Sequence, residues 1–97
     1  MVAGLLGVSF IATSISQGYI YNTGKKGGLF IFRTISNRSA IVSFSTERGI
    51  KFFNTSIDNF FTNTDEIGLY FYFNDESELC IKNNGTGSIY PLVGILI

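Results

Sequence analysis

The sequence lacks histidine and tryptophan, and it contains one cysteine and one proline. Without histidine, neither a Ser-His-Asp triad nor a histidine-activated thiolate can form. With one cysteine, Cys80, no intrachain disulfide is possible, and its apolar surroundings favour a buried small side chain in a strand. The carboxylates are scattered and match no metal-binding spacing. We therefore expect no enzymatic activity, no cofactor and no metal site.

Charge is also scarce. Charged residues make up 14% of the chain, against about 25% in a typical soluble domain. Seven basic residues balance seven acidic ones, so the chain has no surplus of positive charge for phosphate contacts, and we expect no nucleic-acid partner. A net charge of zero also removes repulsion between copies and favours association.

Large apolar residues are abundant instead: ten Phe and five Tyr in 97 residues. A domain of this length buries roughly two-thirds of the surface of its unfolded chain. The apolar content therefore exceeds what one such domain hides, and we predict that the surplus is covered by other protein.

The predominance of Phe, Ile, Tyr, Thr and Val favours strands, and clusters of Gly, Asn, Asp and Ser interrupt these runs at short intervals. This rhythm predicts an all-β fold: an antiparallel β-sandwich, jelly-roll-like, in a single domain spanning 1–97. An irregular loop is favoured over a helical turn at 54–66. The predicted strands are Leu5–Thr13, Tyr19–Tyr21, Leu29–Ile35, Ala40–Ser45, Ile50–Phe53, Leu69–Phe73, Leu79–Lys82 and Ile89–Ile97.

The last three predicted strands are expected to form a meander. A turn at 74–77 separates the first two, and Asn84-Gly85, a strong hairpin signal, precedes the third. Pro91 cannot donate a hydrogen bond to a ladder, so it is expected at an edge or a bulge.

Two sets of residues are candidates for an interface or a ligand site. Tyrosines on strands combine an apolar ring with a hydroxyl, which suits protein contacts and sugar stacking; the alternative is that they are covered within the sandwich or at a subunit contact. These tyrosines are Tyr19, Tyr21, Tyr70 and Tyr72. The apolar C-terminal segment supplies the other set: Tyr90, Leu92, Ile95 and Ile97.

The N-terminal segment, 1–15, is equally apolar and carries no charge. It lacks the positive region of a secretory signal, and Ser9, Thr13 and Ser14 interrupt the run that a membrane span needs. We expect a buried strand, with both terminal strands at the centre of the sandwich or in an interface of a homo-oligomer.

From about Gln17 onward, four segments resemble the small β-domains of bacteriophage virion proteins of the tail-fibre tip, head-fibre and capsid-decoration type. The segments are 18–21, 28–32, 68–73 and 79–89. The resemblance implies a jelly-roll-like sandwich, commonly a homotrimer, that contacts other virion proteins. Because no long N-terminal shaft precedes these segments, a small stand-alone virion component is expected.

The sequence therefore predicts a non-enzymatic structural protein that associates with itself, located in the virion. The alternative is a module that binds a host-surface glycan or receptor through exposed tyrosines. A third hypothesis, insertion of 1–15 into a membrane, is the least favoured, and we do not expect a membrane partner.

Overall fold

The computed structural model describes residues 9–34, 39–53, 61–62, 64–85 and 89–97. Within these ranges the chain forms nine strands and no helix, so the predicted all-β class is confirmed. The strands are β1 (Ser9–Ser16), β2 (Ile20–Asn22), β3 (Gly27–Thr34), β4 (Ser39–Ser45), β5 (Gly49–Phe53), β6 (Phe61–Thr62), β7 (Leu69–Phe73), β8 (Leu79–Asn83) and β9 (Ile89–Leu96).

The strands form two sheets. One has five strands in the order β1-β9-β3-β4-β5, and the other has four in the order β2-β8-β7-β6. Neighbouring strands are antiparallel except β6 and β7, which run parallel. Among the described strands, the chain crosses between the sheets four times: after β1, β2, β5 and β8. The predicted β-sandwich is confirmed.

The core follows from the two-residue period of the strands, because alternate side chains point to opposite faces. In β4, Ala40, Val42 and Phe44 are buried, whereas the residues between them are not. In the facing sheet, Leu69 and Phe71 are fully buried. The Phe71 ring lies 5.4 Å from that of Phe32 and 5.2 Å from that of Phe52, distances typical of favourable aromatic pairs, so the two sheets interlock.

Strand positions agree well with the predictions, and β7 matches residue for residue. The largest shift is at β1, which occupies Ser9–Ser16 where a strand over Leu5–Thr13 was predicted; residues 1–8 lie outside the described part. An irregular loop is predicted at 54–66. Residues 54–60 and 63 lie outside the described part, and Phe61–Thr62 forms the two-residue strand β6, so the loop prediction is wrong at those two positions.

The predicted meander is wrong. β7 and β8 do form a hairpin, but β9 leaves their sheet and lies between β1 and β3. The buried side chain of Asn83 lies at the end of β8, where its Nδ2 donates to the Ile15 carbonyl at 2.8 Å and its Oδ1 accepts from the Gly85 N–H at 2.9 Å. Asn83 thus connects the end of β8 to β1 of the opposite sheet by a hydrogen bond. The Asn84-Gly85 pair comes directly after Asn83 and does not close a hairpin between β8 and β9.

Pro91 lies in a central strand, whereas an edge or a bulge was expected. Leu29 and Ile97 exchange both backbone bonds, so the odd-numbered residues of β9 direct their backbone groups toward β3. The described pairs with β3 begin only at Leu92. The position opposite Pro91 on β3 is residue 35, which lies outside the described part. Toward β1, Pro91 lies opposite Ser14 in a pair without hydrogen bonds, so the ladder between β1 and β9 loses no bond.

Candidate interaction surfaces

An unbroken row of apolar side chains crosses the outer face of the five-stranded sheet. Successive strands place these residues directly opposite one another, one from each strand. Four of them are between 41% and 71% exposed, and Ile41 is partly buried. From one edge of the sheet to the other, the row consists of Phe10, Ile95, Ile31, Ile41 and Phe53.

Further exposed apolar side chains flank this apolar row. Val93 lies beside it on β9, and Ile97 follows on the other side. A shallow depression of about 350 Å³ lies over the β1, β9 and β3 part of the face. The neighbouring rows carry the charged Arg33 and Lys51, both exposed. The centre of the outer face is therefore apolar, and the two basic side chains stand to either side of it.

The continuity of the row distinguishes it from ordinary surface apolar residues. Single exposed hydrophobic side chains are common on soluble proteins and need no explanation. Contiguous exposed apolar patches are uncommon, and they mark interaction sites. Ile67, which is 74% exposed in the segment before β7, is an example of the first kind and belongs to a different surface.

The outer face of the four-stranded sheet has a different character. Tyr70 and Tyr72 project from β7 with their rings stacked at 4.8 Å and inclined by 23°. Lys82 lies opposite Tyr70, and Cys80 lies opposite Tyr72. Each tyrosine ring turns one side to the other ring, so the free surface of the pair consists of the ring edges and the outer sides. This face is aromatic and polar.

Cys80 is buried on this face. Removal from water, followed by the nearby Glu78 charge, raises the pKa of the thiol, whereas contacts with Tyr72 and Asn74 lower it, and the net direction is upward. Burial is also the main cause of the raised pKa of Tyr72. A thiol with a raised pKa is a poor nucleophile at neutral pH, so Cys80 packs as the sequence predicts.

The structure does not bring the four candidate tyrosines together. Tyr70 and Tyr72 are the adjacent pair described above. Tyr19 is 70% exposed in the turn between β1 and β2. Tyr21 packs against the core and its pKa is raised by burial, so for this residue the alternative of cover within the sandwich holds. The predicted tyrosine surface is therefore limited to one pair and one isolated residue.

The C-terminal candidates also separate. Ile95 and Ile97 point outward and remain exposed, as an interface role requires. Leu92 is fully buried in the core, so its predicted interface role is corrected. The side chain of Tyr90 lies outside the described residues. The alternation along β9 explains the split, since Leu92 is on the inward side of the strand.

The sequence reasoning missed most of the apolar row. It assigned the apolar surplus to the two termini, but Ile31, Ile41 and Phe53 belong to internal strands. A signal was present in β3, where Leu29 to Phe32 is apolar without interruption, so that both faces of the strand are apolar. A strand with two apolar faces needs other parts of a protein packed against both of them. Within the sandwich only the inner face of β3 is packed in this way.

Comparisons with protein-family models, with curated proteins and with solved structures find no match for this chain. Within the described ranges, no group of three or more His, Cys, Asp or Glu side chains is placed to hold a metal ion. No helix in the same ranges is long and apolar enough to cross a membrane.

Proposed function

We propose that this protein is a non-enzymatic structural subunit that associates with copies of itself through the outer face of its five-stranded sheet. The observation that carries the proposal is the apolar row from Phe10 to Phe53, which spans all five strands without a polar interruption. Burying this row against a second apolar surface removes it from water, and the hydrophobic effect drives that association.

The size of the face is compatible with a specific contact. Five strands about 4.8 Å apart, with about seven residues each at a rise of about 3.4 Å, cover about 550 Å² in projection. Specific interfaces bury about 800 Å² of accessible surface on each partner, with weaker ones below about 600 Å². The accessible area of a corrugated face exceeds its projection, so this face falls within that range. Because the centre of the face carries no charged side chain, two copies of the face can meet there without electrostatic repulsion.

Light scattering at micromolar concentration tests self-association, and a matched pair of variants locates it. Ile31→Lys places a charge at the centre of the row, and burying an unpaired charge is costly; the mean mass should therefore fall. Ile67→Lys makes the same change at an exposed isoleucine outside the row, and the mass should stay unchanged. A wild-type protein that remains monomeric, or an equal response of both variants, would refute the proposal.

We further propose that the assembly belongs to a virus particle, where it decorates a capsid or forms part of a fibre. The resemblance implies a trimer, whereas a face that pairs with itself about a two-fold axis gives an even number of copies, and the mass from light scattering distinguishes the two. The support is the resemblance of the four segments between 18 and 89 to small virion β-domains, together with the self-complementary face. The genes beside this one test the assignment. Capsid and tail genes would support it, whereas a neighbourhood of metabolic genes would argue against it.

The second candidate function is glycan binding, and the Tyr70–Tyr72 stack is the observation that favours it. Sugar rings pack against aromatic side chains, and Lys82 opposite Tyr70 adds a hydrogen-bond donor beside the pair. A glycan array identifies a ligand, and Tyr70→Ala should then abolish its binding without reducing assembly. Tyr19→Ala is the control, because Tyr19 is exposed but isolated from the pair. An array without a positive signal removes this candidate.

A further inference from the structure

The free edge of β1 is the longest sheet edge among the described strands. β1 has eight residues and closes one side of the five-stranded sheet, while the other edge strands, β5, β2 and β6, have five, three and two residues. An edge strand presents a row of backbone N–H and C=O groups that another strand can pair with.

The hydrogen-bonding pattern identifies which groups face this edge. Because Ile97 bonds to Leu29 of β3, the even-numbered residues of β9, including Gly94 and Leu92, direct their backbone groups to β1. Their partners on β1 are Ile11 and Thr13. The residues in between on β1 therefore point their N–H and C=O groups away from the sheet. These residues are Phe10, Ala12, Ser14 and Ser16. The Ser16 carbonyl accepts from the Tyr19 N–H at 2.9 Å, so the edge contact concerns the other three.

Among the described residues, no backbone bond occupies the edge-facing groups of these three residues. β1 also lacks the sequence features that keep an edge strand from pairing with another strand. Natural proteins protect edges with charged side chains, proline or bulges. β1 has neither charge nor proline, and its pairing with β9 runs over eight consecutive residues without a bulge. By contrast, the opposite edge strand, β5, carries Lys51 at its centre and follows Glu47 and Arg48.

We propose that β1 of one copy pairs antiparallel with β1 of a second copy, so that two five-stranded sheets join into one of ten strands. This inference rests on the proposed self-association and specifies a second contact for it. A second copy is the fitting occupant because an antiparallel contact about a two-fold axis needs an edge that complements itself. An uncharged strand whose edge-facing residues are spaced evenly meets that requirement.

The register follows from the same spacing. With the two-fold axis at Ala12, Ala12 lies opposite Ala12 of the partner subunit, and Phe10 lies opposite Ser14 of the partner subunit. Phe10, Ala12 and Ser14 of each copy then lie in hydrogen-bonded pairs, which gives about six new backbone bonds. Small side chains meet at the axis. The apolar row of each copy ends at Phe10, opposite Ser14 of the partner subunit, so the two rows lie on the same outer face of the joined sheet, offset by four residues along the strands.

Residue-resolved amide exchange on the wild-type protein tests the pairing directly. Above the dissociation constant, a hundredfold rise in protein concentration lowers the monomer fraction about tenfold by mass action. Exchange at Phe10, Ala12 and Ser14 should slow by the same factor. The amides of Ile11 and Thr13, which bond to β9, serve as internal controls and should be protected at every concentration. Fast exchange at the three edge amides at all concentrations would overturn the proposal, as would protection independent of concentration, which would place their partner in the same chain.

A variant separates this contact from the face contact. In an Ile31→Lys background, in which the face is disabled, the edge dimer should persist by light scattering. Adding Ala12→Pro removes the edge-facing N–H at a position where a strand tolerates proline, and it should give a monomer. Ala12→Ser keeps the N–H and should leave the dimer intact.

If Ile31→Lys alone is monomeric, with fast exchange at the edge amides, the edge contact fails while the face contact stands. If the mass is unchanged by Ile31→Lys but falls with Ala12→Pro, the face contact fails instead.

Discussion

At the residue scale, Asn83 has the clearest structural role. It is the buried polar residue of the described core, with no exposed surface, and its amide is satisfied on both sides, by the Ile15 carbonyl and the Gly85 N–H. A buried polar group is tolerated when it is paired in this way. Asn83 fixes where β8 ends and joins the two sheets at one point.

We predict that Asn83→Ala lowers the free energy of unfolding by about 2 kcal/mol, because it leaves a buried backbone donor without its partner. Asn84→Ala is the matched control, since Asn84 bonds to Asp65 at the surface, and its effect should stay below about 1 kcal/mol. Urea denaturation measures both. Equal losses in the two variants would show that Asn83 contributes no more than a surface asparagine.

A second prediction at this scale concerns alkaline pH. Burial raises the pKa of Cys80 above its ordinary value of 9.0 and that of Tyr72 above 10.0. Above about pH 9 the unfolded chain releases protons that the folded protein retains, so the free energy of unfolding should fall as pH rises. Urea titrations between about pH 7 and pH 10.5 measure this decline. In Cys80→Ala the decline in the free energy of unfolding should begin at a higher pH. If it begins at the same pH as in the wild type, the thiol is not the cause of the decline.

At the scale of the element, β9 decides the architecture. It lies between β1 and β3, and its residues alternate between the core and the outer face. Gly94 permits this position, because a Cβ there would lie 2.5 Å from the Ile31 carbonyl oxygen and 2.7 Å from atoms of Phe30 and Phe32. The Ile31 carbonyl belongs to the backbone of β3 and cannot move aside as the end of a flexible side chain can. The close packing of β9 against β3 therefore requires glycine at position 94.

We predict that Gly94→Ala destabilises the fold by about 3 kcal/mol, since added volume in a packed site forces neighbouring atoms to move. Val93→Ala, on the same strand but exposed, should cost much less. Thermal unfolding followed by circular dichroism compares the two. A Gly94→Ala protein with the wild-type melting temperature would contradict the close packing of β9 against β3.

At the scale of the whole molecule, the two outer faces differ. One sheet presents the apolar row, and the other presents the stacked tyrosines beside Lys82. The inner faces share one core. Among the described residues, six of the nine exposed large apolar side chains lie on one side of the sandwich, as assembly through that side requires, and the other three are Tyr19, Ile20 and Ile67.

We predict that the melting temperature rises with protein concentration, because association stabilises the folded state and leaves the unfolded chain unaffected. The weaker face contact in Ile31→Lys should reduce this dependence, and Ile67→Lys should retain it. Differential scanning calorimetry over a hundredfold range of concentration measures the effect. A melting temperature independent of concentration in the wild type would argue against assembly of the folded protein.

Local features could be predicted from the sequence because they depend on neighbours in the chain. The sequence of Leu69–Phe73 alternates, so that Leu69 and Phe71 share one face and Tyr70 and Tyr72 the other, and in the structure Leu69 and Phe71 are buried whereas the two tyrosines are partly exposed. The turn after β7 also forms, with the Asn74 side chain accepting from the Glu78 and Glu76 amides. The sequence alone thus determined the β class, the strand positions to within a few residues, and an apolar content larger than one core requires.

Only the tertiary structure decided where that surplus lies and which strands are neighbours. Strand pairing depends on contacts between residues far apart in the chain, such as Asn83 with Ile15 and Gly94 with Ile31, and no local pattern encodes them. For the same reason the apolar row could not be predicted, since its five residues come from five strands spread over 86 positions, from Phe10 to Ile95. The order of the strands in the sheet places these five residues side by side. The excess of apolar residues in the sequence therefore forms one defined surface.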